Sequence, residues 1–294
     1  MQEKVFNNGD VMISQGKSDP FFYQIISGSA DVFVTDDAEK QIHLATLKEG
    51  AYFGEMALLE GGIPHSATVI AAEDNTHVLE IPGDQIPQYY KEQPEKIYEL
   101  MKYIGSRIRS MTETYENALE DLEKVKAEGG KALGGRLGTY RAYRKNMKKL
   151  SQVSVDTLQS SEHRSGFAKK VNEYKAGTVI CREGVTANSM YDIHWGSVGV
   201  YTGYGTVDEK KIAELFTNQF FGEMGMVAGE PRSATVVALE DTTIETITPE
   251  DLAELFEQNP MKVWMITDHL SRRLRNLTRD YLKVCDQITE ICGE

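Results

Sequence analysis

Cysteine is nearly absent from this chain of 294 residues, with Cys181, Cys285 and Cys292 the whole complement. Three thiols so widely spaced build neither a disulfide framework nor a zinc site. Positive charge is also short, with 32 Lys and Arg against 45 Asp and Glu and a net charge of −13. An acidic balance of that size argues against general nucleic-acid binding, which draws on attraction to phosphates. No apolar run is long enough to span a bilayer, and the start, Met1-Gln2-Glu3-Lys4-Val5-Phe6, has no signal-peptide pattern. These features read as a reducing, cytoplasmic setting. The six histidines (His43, His65, His77, His163, His194 and His269) show no close metal-ligand spacing. No Ser-His-Asp, Walker or paired-carboxylate motif stands out. The expectation is a protein that is not an enzyme and carries neither metal nor cofactor.

The length suggests about two domains. Segments such as Phe22–Ile26, Ala30–Val34 and Gln41–Leu47 are short, carry β-branched or aromatic residues, and are punctuated by Gly, Asp, Asn and Ser. Many short strands of this kind suggest a jelly roll or barrel.

The most informative stretch is Phe221-Gly222-Glu223-Met224-Gly225-Met226-Val227-Ala228-Gly229-Glu230-Pro231-Arg232-Ser233-Ala234-Thr235-Val236. Gly222 lets a ligand approach the backbone without a Cβ in the way. Glu223 accepts hydrogen bonds only, which suits a sugar hydroxyl. Arg232 offers a planar fork matched to phosphate oxygens. Ser233 and Ala234 are small, and their N–H groups can join a phosphate cradle.

The chain repeats this stretch as Phe53-Gly54-Glu55-Met56-Ala57-Leu58-Leu59-Glu60-Gly61-Gly62-Ile63-Pro64-His65-Ser66-Ala67-Thr68-Val69. Gly9 and Gly177, Gly16 and Gly184, Gly28 and Gly196, and Phe53 and Phe221 are all 168 residues apart. Pro64 and Pro231 are 167 apart, so the first copy holds one extra residue before that point, at Ile63. This is one domain duplicated in tandem. The copies differ at the charged position, where His65 replaces Arg232. Neutral histidine offers no fork of charged donors. The first site, Gly54, Glu55, His65 and Ser66, is therefore expected to be weak, altered or empty, and the second to be the working one.

The Phe-Gly-Glu, small apolar run and Pro-Arg-Ser-Ala of the second copy resemble the phosphate-binding cassette of the cyclic nucleotide-binding domain family. That family includes the bacterial catabolite activator and the regulatory subunit of the cAMP-dependent kinase. The resemblance implies an α+β, mainly β fold: two tandem jelly-roll (double-stranded β-helix) barrels, each followed by a long heptad-patterned helix. It implies a ligand site of Gly222, Glu223, Met224, Arg232, Ser233 and Ala234, with Glu223 on the ribose 2′-hydroxyl and Arg232 on the cyclic phosphate. It also places a hydroxyl pair near the base, two to three residues beyond a turn read here as Arg272-Arg273-Leu274, where Asn276, Leu277 and Thr278 follow and only Thr278 keeps a hydroxyl. That points to Thr278, and to Thr112 in the first copy. Ser233 after Arg232 favours cAMP over cGMP.

After residue 91 the period changes. Ile97, Met101, Ile104, Ile108, Met111, Tyr115, Ala118, Leu122 and Val125 alternate in steps of four and three, as do Leu270, Leu274, Leu277, Tyr281, Val284, Ile288 and Ile291. The expected domains are 1–127, a linker with leader helix at 128–170, and 171–294. The two long helices, about 95–127 and about 262–292, are expected to pair as an intramolecular pseudo-dimer, with a homodimer as the competing arrangement. The linker's Lys131, Arg136, Arg141, Arg144, Lys145, Lys148 and Lys149, with Tyr140 and Tyr143, form a basic aromatic run. Its simplest role is a return connection along an acidic protein. The expected function is an allosteric cyclic nucleotide sensor acting on a protein partner. The alternatives are a ligand-free interaction module with degenerate pockets, and a transcription regulator using the basic linker.

Overall fold

A computed structural model of the chain describes residues 1–35, 41–55, 57, 64–65, 67–128, 133, 137–138, 140–141 and 170–292. Most of the basic linker run, the expected leader helix up to residue 169, and Ser66 lie outside the described residues.

The first copy folds as β1 (Gln2–Phe6), β2 (Val11–Ile13), β3 (Phe21–Ser27), β4 (Ser29–Thr35), β5 (Gln41–Lys48), β6 (Tyr52–Phe53), β7 (Thr68–Ala71) and β8 (Thr76–Pro82). These form two antiparallel four-stranded sheets, ordered β1-β8-β3-β6 and β2-β7-β4-β5. The second copy supplies β9 (Val171–Tyr174), β10 (Val179–Cys181), β11 (Met190–Trp195), β12 (Ser197–Thr202), β13 (Lys210–Phe216), β14 (Phe220–Phe221), β15 (Thr235–Ala238) and β16 (Thr242–Ile247). Its sheets, β14-β11-β16-β9 and β10-β15-β12-β13, repeat the first order strand for strand.

Each copy is a β sandwich. In the first, Met12, Ile13, Ala30, Val69 and Ala71 from one sheet share a buried core with Tyr23, Ile25, Phe53 and Val78 from the other. In the second, Val198 and Val236 meet Ile193, Phe221 and Ile244. Alternate residues point to one face of a strand, so short strands with apolar residues at every second position close such a core. The matched glycines serve one turn in both copies. Gly28 and Gly196 hold φ of +87° and +88°, and a Cβ on them would meet Thr76 Oγ1 at 2.7 Å and Thr242 Oγ1 at 2.6 Å. Only glycine combines that backbone with that close approach.

Helices follow each sandwich: α1 (Ile86–Glu92) and α2 (Pro94–Glu128) after the first, α4 (Leu252–Gln258) and α5 (Pro260–Ile291) after the second. A five-residue helix, α3 (Glu223–Val227), lies within the second cassette. The chain divides into two compact units, one of Met1–Gln88, Arg107–Asp156 and Ser271–Glu294, the other of Tyr89–Ser106 and Thr157–Leu270. Each long helix is thus divided between units.

Within the first unit, Ala118, Leu122 and Val125 of α2 share one buried cluster with Tyr281, Val284, Cys285 and Ile288 of α5, closed by Leu133 and Tyr140. The second halves of the two helices therefore bury their apolar stripes together within one chain. Tyr140, read above as part of the basic aromatic run, is buried, and its hydroxyl donates to Asp121 Oδ2 at 2.8 Å. Within the second unit, Gly105 of α2 abuts α3, where a Cβ would stand 2.6 Å from Val227 Cγ2. Tyr98 Oη donates to the Met226 carbonyl at 3.0 Å. Among the described residues, no helix is long and apolar enough to cross a membrane.

Candidate functional site

The second cassette begins where β14 ends. Gly222 caps α3 with φ +74° and ψ +10°, the left-handed region that turns the chain from strand to helix. Glu223 and Met224 follow and are buried. Arg232 carries a guanidinium and is buried to 5% exposure. Burial of such a group is tolerated only with polar partners. Its Nη1 donates to the Gly222 carbonyl and its Nη2 to Ser189 Oγ, the latter at 3.0 Å. Its Nε is buried with no hydrogen-bond partner among the described residues. The guanidinium lies 5.2 Å from the centroid of the Tyr191 ring, which itself stacks on Phe221 at 4.8 Å.

Arg232 and Tyr191 wall a cavity of about 370 Å³, lined also by Val179, Cys181, Arg182, Val185 and Ala187. That volume falls in the range of small-ligand pockets, and two of the lining side chains are cationic. The Cys181 thiol is pushed up by burial, against the pull of Arg232. The arrangement suits a small ligand with one anionic end.

The geometry yields a first expectation. A Cβ on Gly222 would stand 2.6 Å from Arg232 Nη1, and the left-handed backbone disfavours any L side chain by about 1–2 kcal/mol. Gly222→Ala should lower stability by about that amount in urea denaturation and displace Arg232, weakening ligand binding by a larger factor than it weakens the fold.

The remaining expected residues of this site are placed as follows. Ala234 is buried and Ser233 is exposed. Thr278 belongs to the part of α5 in the first unit, and its hydroxyl donates to the Leu274 carbonyl at 2.8 Å. Thr112 likewise donates to the Ile108 carbonyl at 2.9 Å. Both hydroxyls are committed to their own helix backbone.

The first cassette repeats the backbone but not the chemistry. The Gly16 N–H donates to the His65 carbonyl, and the His65 N–H to the Lys17 carbonyl. The Gly184 N–H donates to the Arg232 carbonyl, and the Arg232 N–H to the Val185 carbonyl. His65 and Arg232 therefore occupy the same place in the fold, as the alignment of the copies requires. His65 is buried, and its Nε2 stands 3.0 Å from Asp19 Oδ2, an ion-pair distance without hydrogen-bond alignment. Gly54 repeats the positive φ, at +78°. Glu55 is buried and paired with Arg107 of α2.

A second polar cluster in the second unit escaped the sequence reading. Asp192, His194 and Glu245 bring their ligating atoms within 4.8 Å of one another. The buried Lys262 ammonium sits among them, 2.6 Å from Asp192 Oδ2 and hydrogen-bonded to Glu245. A metal would have to displace that ammonium, so the cluster is an internal charge network. His194 is held up to about 9 by its hydrogen bonds to Asp192 and Glu245, against the opposing effect of burial. Burial raises Asp192, yet the His194 hydrogen bond and Lys262 leave it below the usual carboxylate range.

For His194 the folded value lies above the ordinary value of about 6.5. Its contribution to stability is therefore complete below pH 6.5 and lost as pH rises through about 9. The urea midpoint should fall between pH 7 and pH 10, and His194→Gln should flatten that part of the profile.

Taken together, a duplicated β sandwich whose second copy sets a buried arginine at a cavity wall defines a tandem-domain protein with a small-ligand pocket in that copy. The chain belongs to the Cyclic nucleotide-binding domain family, which matches residues 3–93 and 171–259, more than half of its length. It is 28% identical over 243 residues to a cAMP-dependent protein kinase regulatory subunit of Dictyostelium discoideum, covering 81% of this chain and 60% of that protein. It is 26% identical over 249 residues to a cGMP-dependent protein kinase of Plasmodium berghei, covering 84% of this chain and 22% of that protein. A solved structure of cAMP-bound PfPKA-R (141–441) aligns over 98% of this chain and 80% of that one, at 20% identity and a TM-score of 0.37. The chain thus spans 60% of the first curated relative and 22% of the second.

Proposed function

We propose that this chain is a regulatory cyclic nucleotide sensor whose second domain is the working pocket. Arg232 carries the reading: it is a buried cation at a cavity wall with an unsatisfied Nε, in the cassette position suited to a phosphate oxygen. Glu223, Gly222 and Met224 frame the ribose end, and Ser233 and Ala234 continue the phosphate cradle. The pairs of sheets are read as jelly rolls, with the duplicated units running over 1–127 and 171–294.

The relatives include both a cAMP-dependent and a cGMP-dependent kinase protein, so they do not choose between the ligands. Ser233 after Arg232 favours cAMP. Binding in competition against a fluorescent cyclic nucleotide tests this: cAMP should displace the probe at a concentration at least about tenfold below cGMP. Equal potency, or the reverse order, would overturn the preference.

The output is regulatory and not catalytic, acting on a protein partner. Regulatory subunits among the relatives point to a protein kinase as the class of partner. The coupling rests on the long helices, each divided between the two units. A ligand that changes how a helix docks shifts an equilibrium by a coupling free energy of typically about 1–3 kcal/mol. The cluster joining α2 and α5 supports an intramolecular pseudo-dimer over a homodimer.

A further inference from the structure

The two cassettes differ at more than the arginine. Asp19 precedes β3 in the first copy, and the residue at its place in the second is Ala187. The spacing follows from the paired backbone bonds of Gly16 and Gly184 and of Lys17 and Val185. Ala187 lines the second cavity. Asp19 therefore stands at the position that matches this cavity-lining alanine, with its carboxylate 3.0 Å from His65 Nε2.

The surroundings of the tyrosine that matches Tyr191 change in the same direction. Tyr23 stacks on Phe53 at 5.0 Å, as Tyr191 stacks on Phe221. Tyr23 lies opposite Glu80 in the sheet and donates to it at 3.1 Å, whereas Tyr191 lies opposite Thr246. The Tyr23 phenol is pushed up by burial first, then by the charges of Asp19 and Glu80. The field of Asp19 thus reaches the tyrosine that matches the cavity-lining one. Two carboxylates occupy positions held in the second domain by alanine and threonine; Glu80 is paired with Lys4, and Asp19 stands beside the His65 ring.

Resting on the cyclic nucleotide reading above, we propose that Asp19 is the specificity-determining residue of the first pocket: its carboxylate occupies His65 and bars an anionic phosphate. The loss of the arginine fork alone would leave a weak site. An acid at the position of Ala187 turns it into a repulsive one, because like charges set side by side oppose binding.

The test is calorimetric titration of the full chain with cAMP as probe. The parent chain should show one site. His65→Arg should still show one, because Asp19 remains. Asp19→Ala combined with His65→Arg should show two. The reciprocal change, Ala187→Asp, needs no repair of the first pocket and should weaken the second site at least about tenfold. Two sites in His65→Arg alone would overturn the proposal, as would a single site in the double variant at unchanged Tm, or parent affinity in Ala187→Asp. A parent chain that binds neither cAMP nor cGMP would instead remove the reading on which the proposal rests.

Discussion

Arg232→Ala should abolish measurable cyclic nucleotide binding at micromolar ligand. The side chain offers donors from one planar group, and each hydrogen bond to a charged acceptor contributes roughly 1.5–3 kcal/mol. Losing two of them predicts a weakening of about a hundredfold or more. The guanidinium is held by the Gly222 carbonyl and Ser189 Oγ, so it is pre-positioned and loses little side-chain freedom when a phosphate arrives. Arg232→Lys should fall between the two, because an ammonium keeps the charge but not the fork. Calorimetry reads both variants directly, and urea denaturation separates lost binding from lost fold.

The second large effect is expected at Lys262. Its ammonium is 3% exposed and closes a cluster in which Asp192 and Glu245 are also buried. Removing one partner of a buried charge pair leaves the others uncompensated, a loss typically of about 3–5 kcal/mol. Lys262→Ala should lower stability by that amount and depress Tm by several degrees. Lys262→Met combined with Glu245→Gln should recover most of the loss, because the surviving Asp192 retains His194 as a partner. If Lys262→Ala alone is near neutral, the network does not anchor the first turn of α5 to its sheet. Asp192 follows Tyr191, which lines the cavity, so the same variant should also weaken ligand binding modestly.

Much of the architecture was legible in the residues. The spacing of Gly9, Gly16, Gly28 and Phe53 against their counterparts gave the duplication, and the two copies share one strand order. Gly222 and Arg232 could be singled out because the left-handed turn and the charged fork are properties of those residue types at that separation. The helical stripes were legible in part as buried faces: Ile97, Met101, Ile104, Ile108, Ala118, Leu122 and Val125 are buried, whereas Met111, Tyr115 and Leu277 are half-buried and Ile291 is exposed. What buries each part was not, because periodicity names a face and not its partner. The division of α2 after Ser106 has no mark in the sequence.

Register hides the rest. Asp192 and Glu245 stand opposite each other across β11 and β16, and Lys262 reaches them from α5, so no local spacing joins the three. Asp19 escaped for the same reason, since it is brought to His65 by the antiparallel pairing of backbone bonds at Gly16 and Lys17. One signal was available. Aligning the copies sets Asp19 against Ala187, and an acid opposite a small residue in a duplicated anion site marks a divergence of function.

Isothermal titration of the unmodified chain with cAMP, followed by cGMP, tests the central claim most directly. One cAMP per 33.0 kDa chain, lost in Arg232→Ala, is the predicted result. No heat with either nucleotide would contradict the sensor assignment, and two equivalent sites would contradict the asymmetry between His65 and Arg232.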